Sequence, residues 1–499
     1  MNQPPAVQNL PGFLAKPPGH TLSTTGKPAW QLTAAELTAA YRCGELSPVQ
    51  ATAEVLAHVA LCEPALQATC AWQPEAALAM ARQSEARWRR HQPLSVLDGV
   101  PVTIKDNLPV RGWPIRNGTA ASSDAPALED CPPAARLRES GAVLLGQTTM
   151  PDYGMLSSAL SSLHPLTRNP WDLDKTPGGS SAGAGAAAAA GYGPLHIGTD
   201  IGGSIRLPAG WCSVVGFKPS GGRVPITAPF SGRVAGPLAR TVADVAMAMA
   251  VLSQPDWRDA TSLPAQPLGW SDLDIDPGKN PDANPDLRGC KLGLLMDAGW
   301  GLDVEPDTRA AIENAARLLA SAGATVQPIA PISSRAMVQG MDQFWRLRFW
   351  LELQALAPER RQRVLPYIRD WAASAQALTA SQAYQGQAQV AALRDAAVVA
   401  CQPFDYVLSP VSPVPAFTAE WASPLNDPAR PFEHIAFTLP FNMSEQPAIS
   451  LPCGFTRGAR PLPIGLQIAG RRHDDLGVLR LARVWEQLRP VLPAWPPLA

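Results

Sequence analysis

The chain has 499 residues, of which 46 % are hydrophobic and only 17 % charged, enough to bury a large apolar core in one large domain or a few ordinary ones. Its net charge of -1 supplies no long-range field for nucleic acid or an acidic membrane surface, so small molecules are the expected partners. The amino end has no basic segment followed by an apolar run, and no later stretch is long and apolar enough to span a bilayer. A cytoplasmic location follows as the default.

The eight cysteines are scattered, with no Cys-x-x-Cys pair and none beside a histidine at metal-ligand spacing, so they read as reduced structural thiols and no metal site is expected. The first 28 residues are proline-rich and expected to be extended. Thr33 with Glu36 as a capping box, and Ser47 before Pro48, then predict two short helices. From about residue 98 the pattern changes: "GVPVTIKDN" reads as a buried strand ending in polar residues, and "CPPAARLRESGAVLLGQT" as a helix and a following strand. Alternation of this kind predicts an α/β fold, a large parallel or mixed sheet with helices on both faces.

Residues 254–289 are rich in Pro, Asp, Asn and Gly and read as an irregular connection. Beyond them come a strand at "KLGLLM", a helix over 306–322, the strand "ATVQPI", and a helical region over 333–400 that contains "MDQFWRLRFWLELQAL". Its aromatics, Trp345 and Phe349 among them, either pack the helix onto the sheet or line an apolar pocket. Strands at "FDYVLSP", "PAISLPCG" and "PIGLQIAG" and a helix at "DLGVLRLARVWEQL" follow. Strands recur on both sides of 254–289, which favours one continuous sheet and one domain over 1–499, with an amino-terminal helical segment over 1–90.

Three patterns compete around "GGSSAGAGAAAAAG", residues 178–191. Gly183, Gly185 and Ala188 fit a loose G-x-G-x-x-A dinucleotide fingerprint, but "RNPWDLDKTP" before it is not the apolar strand that motif requires, so no nucleotide cofactor is expected. Gly179, Ser181 and Gly183 spell G-x-S-x-G, the serine-hydrolase elbow, which needs that strand too, and a base from His196, His434 or His473. The third is "GTDIGGSIRLPAG", residues 198–210, where glycines let consecutive N–H groups from Ile201, Gly202, Gly203 and Ser204 converge on one oxygen. Ser204 is then either a nucleophile or an inert turn residue. A serine needs a base, and Lys105, ending the apolar run "GVPVTI", is placed where desolvation lowers an ammonium pKa; the alternative is a buried ion pair with Asp106 or Asp200.

Taken together and in this order, "GVPVTIKDN", "TPGGSSAGAGAAAAAG", "GTDIGGSIRLPAG", "GFKPSGGRVP" and "GPLARTVADVA" resemble the amidase signature family, very specifically over 98–248. "NMSEQPAISLP" and "PIGLQIAG" resemble its carboxyl-terminal strands. The resemblance implies an α/β/α domain and a Ser-cisSer-Lys triad: base Lys105, bridging Ser180 after a cis peptide from Gly179, nucleophile Ser204, with the N–H groups of residues 201–204 as oxyanion hole. Ser181, Asp200 and Arg206 match supporting positions; Ala182 departs from the glycine many members carry. No metal or organic cofactor is implied. The expected substrate is a small apolar or aryl amide, ester or carbamate, with Gly178, Gly179, Met155, Trp345 and Phe349 near it, in a monomer or homodimer. The second implied reading is the glutamine-hydrolysing subunit of a tRNA-dependent amidotransferase, which releases ammonia for a partner.

Overall fold

The computed structural model describes residues 26–273 and 285–497. Most of the proline-rich amino end, and the middle of the 254–289 connection, therefore lie outside the described residues; the described part of that connection carries neither helix nor strand. In chain order the elements are α1 (Ala34–Cys43), α2 (Pro48–Leu66), β1 (Thr69–Trp72), α3 (Pro74–Arg89), β2 (Pro101–Lys105), α4 (Pro132–Glu139), β3 (Val143–Thr148), α5 (Ala182–Ala190), β4 (Leu195–Asp200), α6 (Arg206–Trp211), β5 (Val215–Lys218), β6 (Val234–Ala239) and α7 (Val242–Leu252). After the connection follow β7 (Lys291–Leu294), α8 (Pro306–Ser321), β8 (Thr325–Pro328), α9 (Arg335–Gln354), α10 (Pro358–Arg361), α11 (Pro366–Ala373), α12 (Ala380–Cys401), β9 (Tyr406–Pro410), α13 (Leu439–Met443), β10 (Ala448–Phe455), β11 (Pro463–Gly470) and α14 (Asp475–Leu488).

Both amino-terminal helix starts are capping boxes: Thr33 accepts from the Glu36 N–H, and Ser47 from the Gln50 N–H. The second helix is not short, however. It runs 19 residues; α3 falls within the helical segment expected over 1–90, whereas β1, which interrupts that segment, was not anticipated. β1 has four uniformly half-buried residues, too few and too even to display a strand's alternation.

The eleven strands form one mixed sheet in the order β1-β3-β2-β4-β6-β5-β10-β11-β9-β7-β8. Parallel blocks, β3-β2-β4 and β9-β7-β8, lie to either side of an antiparallel centre. All strands before the connection are contiguous, as are all strands after it, and the two groups meet at one antiparallel pairing of β5 with β10, Ala448 opposite Lys218 through Ser450 opposite Gly216.

The strand period of two sorts side chains between the faces. Leu144, Ile104, Leu408, Ile449 and Leu466 enter a core beneath α4, α7, α8 and α14. On the opposite face, Val143 and Leu145 pack with α2, α3 and α5, while Val407, Ala448 and Ala469 pack with α6, α9, α11 and α12. With Ile104 in the first core, alternation turns Lys105 to the other face, where the serine-bearing loops lie.

Candidate active site

Lys105 ends β2, fully buried, and its Nζ meets three hydroxyl oxygens: Ser180 Oγ at 2.7 Å, Ser181 Oγ at 3.0 Å and Thr199 Oγ1 at 3.0 Å. It makes no ion pair among the described residues. The two acids that might have taken it are engaged elsewhere, Asp200 with Arg206 and Asp106 with His164. Burial foremost, then the charge of Arg233, pushes the Lys105 ammonium well below its ordinary pKa, against smaller opposing pulls from Asp200 and Asp106.

Ser180 and Ser181 lie in the turn before α5, and the Gly179–Ser180 peptide is cis. No strand leads into this turn, and Ser181 is bonded to Lys105 and to the main chain of Thr199 instead of to a histidine. The elbow reading therefore fails. His196 is buried against Thr103 Oγ1 at 2.8 Å, His434 stacks on Trp211, and burial holds both imidazoles near a pKa of about 3; His473 makes a main-chain bond to Ser220. The helix that follows, α5, is buried along its whole length, as its alanines and glycines allow. Close approach is enforced at Gly198 of β4, where a Cβ would stand 2.6 Å from Ser181 Oγ.

The Ser204 loop joins β4 to α6. The Ser181 N–H donates to the Ser204 carbonyl at 3.1 Å, which sets the two serine segments side by side. Ser204 itself is half-buried, and its hydroxyl makes no hydrogen bond among the described residues. Gly203 takes φ +130°, and its N–H donates to Asp200 Oδ1 at 2.7 Å. That N–H is thus already spent, which corrects the expectation of four converging donors; those of Ile201, Gly202 and Ser204 have no acceptor among the described residues.

Asp200 is held by a fully buried, two-pronged pairing with Arg206, Nη2 to Oδ1 and Nε to Oδ2, each 3.0 Å. Burial alone would raise the Asp200 carboxyl, but the guanidinium overrides it and holds the group well below the usual carboxylate range. Arg206 also donates to Gln467 Oε1 at 2.7 Å, to the Thr438 carbonyl at 2.9 Å and to Asn442 Oδ1. Asn442, Gln467, Thr438, Thr199 and Asn107, whose amide reaches Thr199 Oγ1 at 3.0 Å, are members the sequence reading did not single out. Asn442 lies inside the quoted "NMSEQPAISLP" and Thr199 inside "GTDIGGS", so the signal was position within a motif, without side-chain geometry.

The expected pocket residues divide. Trp345 reaches the Ser204 loop: its Cη2 lies 3.9 Å from where a Gly202 Cβ would stand, beside Ile435 Cδ1 at 3.2 Å and Leu439 Cδ1 at 3.9 Å. Phe349 is instead fully buried, edge-on to Tyr153 at 5.1 Å, and packs the core, where α9 has α12 and α11 as its main helical neighbours. Met155 is half-buried in the same cluster, next to Gly154, where a Cβ would meet Ser180 Oγ at 3.1 Å. Gly178 and Gly179 pass close to Trp211 and Ser158, leaving no room for side chains. A cleft of about 330 Å³, lined by Trp300, Arg335, Val338, Asp342, Phe432 and Glu433, adjoins Trp345, whose ring meets Phe432 edge-on at 5.6 Å.

Comparison with known proteins places the chain in a family. The Amidase family profile matches residues 50–479. Curated relatives include a subunit of the glutamyl-tRNA(Gln) amidotransferase of Chloroflexus aggregans, 33 % identical over 92 % of this chain and 96 % of its own length, and its counterpart in Myxococcus xanthus, 34 % identical over 91 % and 97 %. Among solved structures, a bacterial aryl acylamidase superposes with a TM-score of 0.83 at 28 % identity, covering 92 % of this chain and 97 % of its own. A 6-aminohexanoate cyclic dimer hydrolase complexed with substrate gives 0.82 at 26 % identity, covering 94 % and 99 %. The chain belongs to the amidase signature family, as a hydrolase acting on carbon–nitrogen bonds.

Proposed function

We propose that this amidase cleaves a small, apolar or aryl amide through an acyl-enzyme on Ser204, with esters and carbamates open to the same acyl transfer. The observation that carries the mechanism is the buried Lys105 Nζ at 2.7 Å from Ser180 Oγ, beside the Ser204 loop. Donor bookkeeping supports Ser180 as the bridge. The Ser181 hydroxyl donates to the Thr199 carbonyl, so its hydrogen is spent and it faces the amine as an acceptor, while Ser180, the nearest hydroxyl at 2.7 Å, has its own hydrogen to give. Ser180 then draws the proton of Ser204, a link that closes as substrate seats against the loop. Ser204 attacks the carbonyl, and the uncommitted N–H groups of Ile201, Gly202 and Ser204 receive the oxyanion. Collapse breaks the carbon–nitrogen bond, the proton returns through Ser180 to the departing amine, and water clears the acyl group.

The apolar wall of Trp345, Ile435 and Leu439 against Gly202 supports a substrate without charge beside the carbonyl. The second reading, a glutamine-hydrolysing amidotransferase subunit, is favoured by the 33–34 % identity to such subunits along nearly the whole chain. A hydrolysis panel of anilides, primary amides, glutamine, esters and carbamates separates the two. Turnover of anilides or apolar amides by the chain alone, abolished in Ser204→Ala, is expected. Full activity in Ser204→Ala overturns the mechanism, and glutamine hydrolysis that rises only with partner subunits overturns the stand-alone reading.

A further inference from the structure

A second cluster of reactive groups lies outside the serine–lysine chemistry. Cys70 on β1, Asp106 directly after β2 and His164 in the loop before α5 come from three separate stretches of chain. Their thiol sulfur, carboxylate oxygen and imidazole nitrogen all lie within 4.8 Å of one another, the one such trio among the described residues. Asp106 and His164 are buried, and Cys70 is half-buried. The carboxylate is held in place: Oδ1 accepts the Arg116 N–H at 3.1 Å, and Oδ2 accepts the Gly118 N–H at 2.8 Å and faces His164 Nε2 at 3.1 Å.

We propose that Cys70, Asp106 and His164 form a binding site for a borderline-soft divalent cation of the zinc class. One sulfur, one imidazole nitrogen and one carboxylate oxygen are the donors zinc and cobalt take, whereas calcium and magnesium favour oxygen shells. Tetrahedral bonds of about 2.0–2.3 Å set ligand atoms roughly 3.3–3.6 Å apart. The 3.1 Å spacing of His164 and Asp106 is already close to that, and the sulfur has only to close in from within 4.8 Å. Binding releases the Cys70 thiol proton, and the metal replaces the hydrogen shared between His164 Nε2 and Asp106 while the neutral imidazole carries its one hydrogen on Nδ1; water takes the fourth position. The Arg116 and Gly118 N–H groups stay on the carboxylate and orient it as outer-shell donors. Hydrolysis at Ser204 requires no step through this ion.

The test is a cobalt(II) titration of the full chain after chelator treatment, followed by absorption. One equivalent is expected to give tetrahedral visible bands with a sulfur-to-cobalt charge-transfer band, all displaced by zinc. Cys70→Ser loses the charge-transfer band, and His164→Phe weakens binding by about 100-fold or more. No bands with the wild type, or an unchanged charge-transfer band in Cys70→Ser, overturns the site; the latter places the ion at Cys62 and His58, whose side chains lie 3.6 Å apart. Should either variant fail to fold, zinc protection of wild-type cysteines from alkylation, mapped by mass, decides: protection of Cys70 supports the site, and protection of Cys62 with Cys70 left reactive overturns it. Amide turnover by the metal-free chain is a separate assay and bears only on the hydrolase reading.

Discussion

Three hydroxyls around one buried amine make Lys105 sensitive to each of them. Thr199→Val removes one acceptor while keeping the volume. A buried hydrogen bond of about 1–1.5 kcal/mol corresponds to roughly a tenfold fall in kcat, with KM nearly unchanged and with Thr199→Ser largely retaining the rate. Steady-state kinetics on the best amide of the panel check this. Lys105→Ala is expected to lose most amide hydrolysis, because amine expulsion needs the returning proton, and to lose less on an activated ester whose leaving group needs none; equal losses on both substrates count against the relay. At this scale the sequence was most legible inside its motifs: Lys105 and Ser204 were singled out from their surroundings in the chain and Ser180 from the family resemblance, and the structure sets Lys105 against Ser180 beside the Ser204 loop. Thr199 and Asn107 could not be singled out, because an ordinary threonine and asparagine acquire significance only when β2 and β4 bring them together.

The Ser204 loop is positioned by elements that converge on one guanidinium. Arg206 starts α6, its carboxylate partner ends β4, and its other acceptors come from the α13 region and β11. Arg206→Met leaves Asp200 buried without its partner, and urea unfolding is expected to show a loss of about 3–5 kcal/mol. A loss under about 1 kcal/mol would mean Asn442 and the Gly203 N–H suffice to hold the carboxylate. Element prediction worked where caps and apolar runs are strong, as at Thr33, Ser47 and β2. It missed β1, whose four residues show no period, and could not bound α3 within the helical segment expected over 1–90, because its N-cap, Gln73, makes no side-chain cap to announce it. It left the aromatic helix open between the sheet and a pocket, since a stripe of Trp and Phe says that α9 packs but not on what; its main helical neighbours are α12 and α11.

Across the whole molecule, one continuous sheet was foreseeable from strands recurring on both sides of the connection, but the order of those strands was not, because pairing between distant segments leaves no local trace. The join of β5 to β10 holds Lys218, fully buried, whose Nζ donates to the Pro219 carbonyl. Burial, aided by the charge of Arg206, pushes its pKa down to about 7. The unfolded chain keeps this proton to about pH 10.4, so between the two values it binds more protons than the folded one, and this residue's contribution to stability rises with pH across that window. The stability gap between Lys218→Met and wild type is expected to narrow from pH 7 to pH 10 in urea titrations; a constant gap counts against it. The same join has a consequence for biosynthesis. Arg206 awaits Asn442 and Gln467, which follow it by 236 and 261 residues. At about 5–20 residues per second, the ribosome leaves the edge of β5 bare and the support of the Ser204 loop incomplete for roughly 10–50 s. The nascent amino-terminal half is therefore expected to be a target for chaperones, and on the proposed mechanism its site stays incomplete until the last strands arrive.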